Sequence, residues 1–81
     1  SKDQLIISAE NLPKVLEVLK QLPFVEAYQP ERDIVHLTLQ EGYGSADVNK
    51  AMFEAGVVLQ QLTLRRKSLE AQFLEIIKAQ A

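Results

Sequence analysis

Two hydrophobic periods alternate along this chain, and their order leaves few folds open. Leu5, Ile6 and Ile7 centre a short β-type run, Gln4–Ser8. Leu12, Val15, Leu16, Leu19 and Leu22 then recur at i, i+3, i+4, i+7 and i+10, the stripe of a three-turn amphipathic helix. Asn11 supplies an N-cap oxygen, and Pro13 sits in the first turn, where a missing N–H costs nothing. Pro23 ends the helix. Period two returns in residues 24–29, with Val25 and Ala27 on one face and Phe24, Glu26 and Tyr28 on the other. Pro30, Glu31, Arg32 and Asp33 read as a turn, and residues 34–40 alternate again, so the two runs form a hairpin.

Gly42 and Gly44 break the pattern. Ser45 caps a helix over residues 46–55, in which Val48, Ala51, Met52 and Ala55 share a face, and Gly56 takes the left-handed position after it. Residues 57–64 read as a strand, with Val58, Leu62 and Leu64 in one phase. Ser68 then caps a last helix with an apolar stripe of Leu69, Phe73, Leu74, Ile76 and Ile77. The order β-α-β-β-α-β is that of an α+β, ferredoxin-like βαββαβ two-layer sandwich, here with an additional C-terminal helix. The inner helices are expected to cover one face of the sheet. Ile6, Phe24, Tyr28, Ile34 and Leu59 are expected on the other, mixed with His36 and Thr38. Such a face calls for a cover, either the last helix or a second copy of the chain.

The 81 residues suffice for a single domain spanning 1–81. A chain of this length buries only about 60% of its unfolded surface, so added contact area matters to its stability. An apolar fraction of 47% argues against disorder. There is no cysteine for a disulfide or a thiolate metal site. No apolar run approaches the roughly 20 residues that span a bilayer. Ser1 in place of Met, with no secretory apolar region after it, suggests a fragment of a longer protein.

His36 is the single histidine, with no second ligand at metal spacing and no nucleophile or orienting carboxylate evident, and reads as an ordinary strand residue. Gly42-Tyr43-Gly44-Ser45 precedes a helix but lacks the length and the Lys of a phosphate loop, and reads as a flexible connection. Arg65-Arg66-Lys67 reads as a solvated turn or a contact to a longer parent protein. Glu10, Glu17, Glu26, Glu31, Asp33 and Glu54 are scattered, with no acid/base couple among them. RNA-recognition domains share this topology but place stacking aromatics on the central strands, where this chain has Leu5, Ile6, Ile7, Ile34, Val35, His36 and Leu37. A net charge of −2 points the same way, to no nucleic acid. Catalytic, cofactor-binding and metal-binding residues are all expected to be absent. The docking stripe Leu69, Phe73, Leu74, Ile76 and Ile77 remains.

That stripe also carries a family resemblance. From Gly56 to Glu75, with Ser68, Leu69, Glu70, Phe73, Leu74, Glu75 and Ile76 in register, the chain resembles the end of ABC-transporter ATP-binding subunits of the exporter and gliding-motility branch. Those subunits close with a strand and a Ser-Leu-Glu-x-x-Phe-Leu-x-(Leu or Ile) helix. Gln72 stands where they have an apolar or acidic residue. The resemblance implies a non-catalytic C-terminal accessory domain. It further implies an upstream nucleotide-binding domain in the parent chain that binds ATP and Mg²⁺. None of that domain's motifs lies in these residues, so no ATP-binding residue carries over. Its partners would be the nucleotide-binding domain, a second copy in a homodimer and, indirectly, the membrane permease. Its location would be cytoplasmic, at the inner face of the membrane. The alternative is an ACT-like module that senses a small molecule at the loop Ala9-Glu10-Asn11-Leu12-Pro13.

Overall fold

The computed structural model describes residues 4–65 and 76–80. It is an α+β structure with strand β1 (Gln4–Ser8), helix α1 (Leu12–Lys20), β2 (Val25–Glu31), β3 (Ile34–Leu39), α2 (Ser45–Glu54) and β4 (Gln61–Arg65), in that order. Residues 76–80 are helical. The four strands form one antiparallel sheet in the order β2-β3-β1-β4, so β1 and β3 are central and β2 and β4 are edges.

Register fixes which side chains share a face. Leu5 pairs with Leu37 and Leu64, and Ile7 with Val35 and Leu62. These residues point to the helices. Leu5, Ile7, Val35, Leu37 and Leu39 are buried with Val15, Val18 and Leu19 of α1, Val48 and Met52 of α2, and Val57. Helix α1 lies over the β2 side and α2 over the β4 side. Both helices therefore rest on one face of the sheet, over a single core without a buried polar residue among those described.

Helix α1 begins as its sequence requires. Asn11 Oδ1 accepts the Lys14 amide at 3.1 Å, satisfying a donor that the helix itself cannot pair. It ends at Lys20, two residues before the expected last position, and Leu22 packs on the core from the following turn. Val18, absent from the expected stripe, is buried because the helix is flanked on more than one side.

Five expectations require correction. Tyr28 and Val25 lie on the same face, not opposite faces, because a β-bulge between Val25 and Ala27 inserts one residue and reverses the alternation. Tyr28, Phe24 and Leu59 all pack against the helix-side core, so none belongs to the open face. The hairpin turn is only Arg32-Asp33, with Pro30 and Glu31 inside β2. Arg32 takes φ +57°, the left-handed conformation that a two-residue loop demands. Ser45 is the first residue of α2 rather than its cap. Gly44 precedes the helix, and its amide donates to Asp47 Oδ2 at 2.8 Å. Finally, β4 begins at Gln61, not at 57. Val57 is buried outside any strand while Val58 faces solvent, so the segment before β4 is a connection.

Candidate functional site

The open face of the sheet is polar. It carries Gln4, Ile6 and Ser8 from β1, Ala27, Gln29 and Glu31 from β2, Ile34, His36 and Thr38 from β3, and Gln61, Thr63 and Arg65 from β4. Among the described residues, Ile6 and Ile34 are its only large aliphatic side chains, and the first lies between His36 and Thr63. A face of this composition can remain in water.

His36 lies on this face and has a carboxylate partner that the sequence pattern does not reveal: its Nε2 is 3.0 Å from Glu31 Oε2. Assigning Glu31 to the turn hid the contact. Inside β2 it sits diagonally across from His36, within side-chain reach. Residue His36 faces Gln29 on one side and Ile6 on the other, neither of them a nucleophile. The Glu31 side chain is largely exposed, so the contact is a surface pair of small energetic weight. Among the described residues, no group of three or more His, Cys, Asp or Glu could hold a metal ion.

The segment Gly42-Tyr43-Gly44-Ser45 is held, not loose. The Tyr43 ring stacks on Phe24, with centroids 4.7 Å apart and planes within 5°. The Tyr43 amide donates to the Gln40 carbonyl at 3.2 Å, and Gly42 adopts φ +91°. The first turn of α2 is where an anion could bind, but the Asp47 carboxylate already takes the Gly44 amide there. Its negative charge opposes a phosphate. Of the remaining carboxylates, Glu17 Oε2 lies 3.9 Å from Lys14 Nζ.

At the opposite end of the sheet, the β1–α1 and α2–β4 connections enclose a depression of about 260 Å³. Ala9, Glu10, Asn11, Lys14, Gly56, Val57 and Val58 line it. The Gln60 amide donates to the Ser8 carbonyl at 2.8 Å and ties the two connections together. Nothing in the sequence marked this neighbourhood beyond the Ala9–Pro13 loop, because its second wall comes from residues some 45 positions later.

Of the expected docking stripe, Ile76 and Ile77 lie in the helical residues 76–80 and are 56% and 46% exposed. Leu69, Phe73 and Leu74 lie outside the described residues, as do Arg66, Lys67 and the expected cap Ser68. Arg65 ends β4 and is exposed. Among the described residues, no helix is long and apolar enough to cross a membrane. The chain matches no family model, no curated protein and no solved structure.

Proposed function

We propose that this chain is a ferredoxin-like sandwich serving as a non-catalytic accessory domain of an ABC-transporter ATP-binding protein. It acts by docking its last helix on protein at the cytoplasmic face of the membrane. One observation carries this reading: the helical residues 76–80 present Ile76 and Ile77 to solvent. Fully burying an aliphatic or aromatic side chain contributes roughly 1.5–3 kcal/mol. A five-residue stripe could therefore rival the net stability of a small domain, of order 5 kcal/mol.

The open sheet face is a poor host for that stripe. Laying Leu69 or Phe73 across it would take the exposed Gln29, Glu31 and Arg65 out of water. A polar group buried without a partner costs about 1–3 kcal/mol. Another protein is the better acceptor: the upstream nucleotide-binding domain or a second copy. The family resemblance, and no measured contact, supplies the choice of an ABC ATPase.

Two measurements test this. Phe73→Asp and Ile77→Asp should each abolish association seen by sedimentation while leaving the thermal midpoint of the dilute chain in place. Folded variants that associate like the unaltered chain would refute docking by the tail. The native protein recovered with an antibody against this chain should hydrolyse ATP in a Mg²⁺-dependent way. Inert material would count against the ABC assignment.

A second reading has its own observation. The depression beside Ala9, Glu10, Asn11 and Lys14 lies at the loop where an ACT-like module takes its ligand. Binding to the folded state raises the unfolding midpoint by mass action. A midpoint raised by an amino acid, and lost in Lys14→Ala, would favour sensing over docking.

A further inference from the structure

We infer that two copies of this chain join by antiparallel pairing of their β4 edges about a two-fold axis through Thr63, extending the sheet from four strands to eight. The pairing goes beyond docking by the tail, is carried by the strand edges themselves, and names a second copy as partner.

The two edges of the sheet differ sharply. Strand β2 is defended against addition of a further strand: a bulge breaks its register at Val25 and Ala27, Pro30 offers no N–H, and Glu26 and Glu31 are exposed along it. Among the described residues, strand β4 has no such defence. Gln61, Leu62, Thr63, Leu64 and Arg65 pair with β1 in five consecutive positions without a bulge, proline or acidic residue. An edge strand exposes a row of unpaired peptide groups on its outer side. Leu64 pairs with Leu5 on the helix side of the sheet, yet is 44% exposed. It is an apolar side chain on the helix side of the sheet that α1 and α2 leave partly in solvent.

The strand is complementary to itself in one register. With Thr63 opposite Thr63 of the second copy, Leu62 faces Leu64 of that copy, and Gln61 faces its Arg65. Leucines then meet on the helix side and polar residues on the open side. The two arginines fall four residues apart along the strand, roughly 14 Å at about 3.4 Å per residue. That exceeds the screening length of about 8 Å at physiological salt. Parallel pairing would instead set them side by side, with like charges in direct opposition. Pairing of β4 with β2 of another copy would leave a free edge at each end and grow into a filament, and the defences of β2 block it. A contact of β4 with itself closes after two copies.

The test uses charge at the axis. Thr63 is exposed on the monomer, and Thr63→Asp and Thr63→Lys each place like charges opposite one another only in this pairing. If β4 joins the copies, each variant alone should sediment as a monomer at concentrations where the unaltered chain is a dimer, and an equimolar mixture should restore the dimer. A second readout does not depend on charge. The chain has no cysteine, so Thr63→Cys should oxidise to a covalent dimer while Gln29→Cys on β2 does not. A dimer that survives Thr63→Asp would overturn this pairing and leave docking through the tail intact. A monomeric unaltered chain, or equal cross-linking of both cysteine variants, would also overturn it. If Ile77→Asp leaves association unchanged while Thr63→Asp removes it, the tail reading fails and the β4 pairing stands.

Discussion

The two faces of the sheet come from the same strands, residue by residue in alternation, and behave as two different materials. On the helix side, Leu5, Ile7, Val35 and Leu37 are almost wholly removed from water. On the open side, Gln29, His36, Thr38 and Thr63 face outward around Ile6. The contrast separates stability from recognition. The first face holds the fold and has no surface left to offer. The second is mostly polar, so an apolar cover would have to bury exposed groups such as Gln29 and Thr63. The search for a docking surface therefore moves to the periphery, to the tail helix and the β4 edge, where apolar side chains stand in solvent.

Substitutions can break or sharpen that contrast. The largest effect belongs to the closed face. Leu37→Ala, at a fully buried position, should lower unfolding free energy by about 2–5 kcal/mol in a denaturant titration. Its neighbour Thr38→Ala, on the open face, should stay within about 0.5 kcal/mol. Equal effects would mean the open face is covered after all. Next comes the tie of α1 to that closed face. Asn11→Ala removes the cap on the Lys14 amide and should cost about 1 kcal/mol, while Asn11→Asp retains the cap. The hairpin turn comes third and has the opposite sign. Arg32 occupies a left-handed conformation that is unfavourable by roughly 1–2 kcal/mol for a residue with a Cβ. Arg32→Gly relieves it, and after the added freedom of the unfolded chain a gain of about 0.5 kcal/mol should remain. The smallest effect is expected on the open face itself. Glu31→Gln, beside His36, should change stability by less than about 0.5 kcal/mol.

How much of this was legible in the sequence depended on whether the signal was local. The Leu12–Leu22 spacing and the Asn11 cap specify α1 within a dozen residues, and the element order followed from such runs. The bulge at Val25–Ala27 was not legible. Nothing in Phe24-Val25-Glu26-Ala27-Tyr28 marks an extra residue, and one inserted residue moves Tyr28 to the other face. Glu31 was hidden for a related reason. Its proline neighbour suggested a turn, but an edge strand tolerates proline, and β2 runs through it to bring Glu31 to His36. Val57 shows the limit at the α2–β4 step: its apolar character signals burial, but only the tertiary fold determines that it is buried in a connection and not in a strand. As for the candidate site, Ile76 and Ile77 were readable from helical spacing, while the β4 edge required the strand order.

The most direct test of whether the tail serves a partner and not its own sheet is the thermal unfolding midpoint of a chain truncated after Arg65. It should be compared with the full chain at dilutions where both are monomeric. Equal midpoints are predicted, because the described residues of the helix-side core, Leu5 through Val57, all precede the cut. A truncated chain that melts well below the full one would place the tail on its own domain and contradict the account.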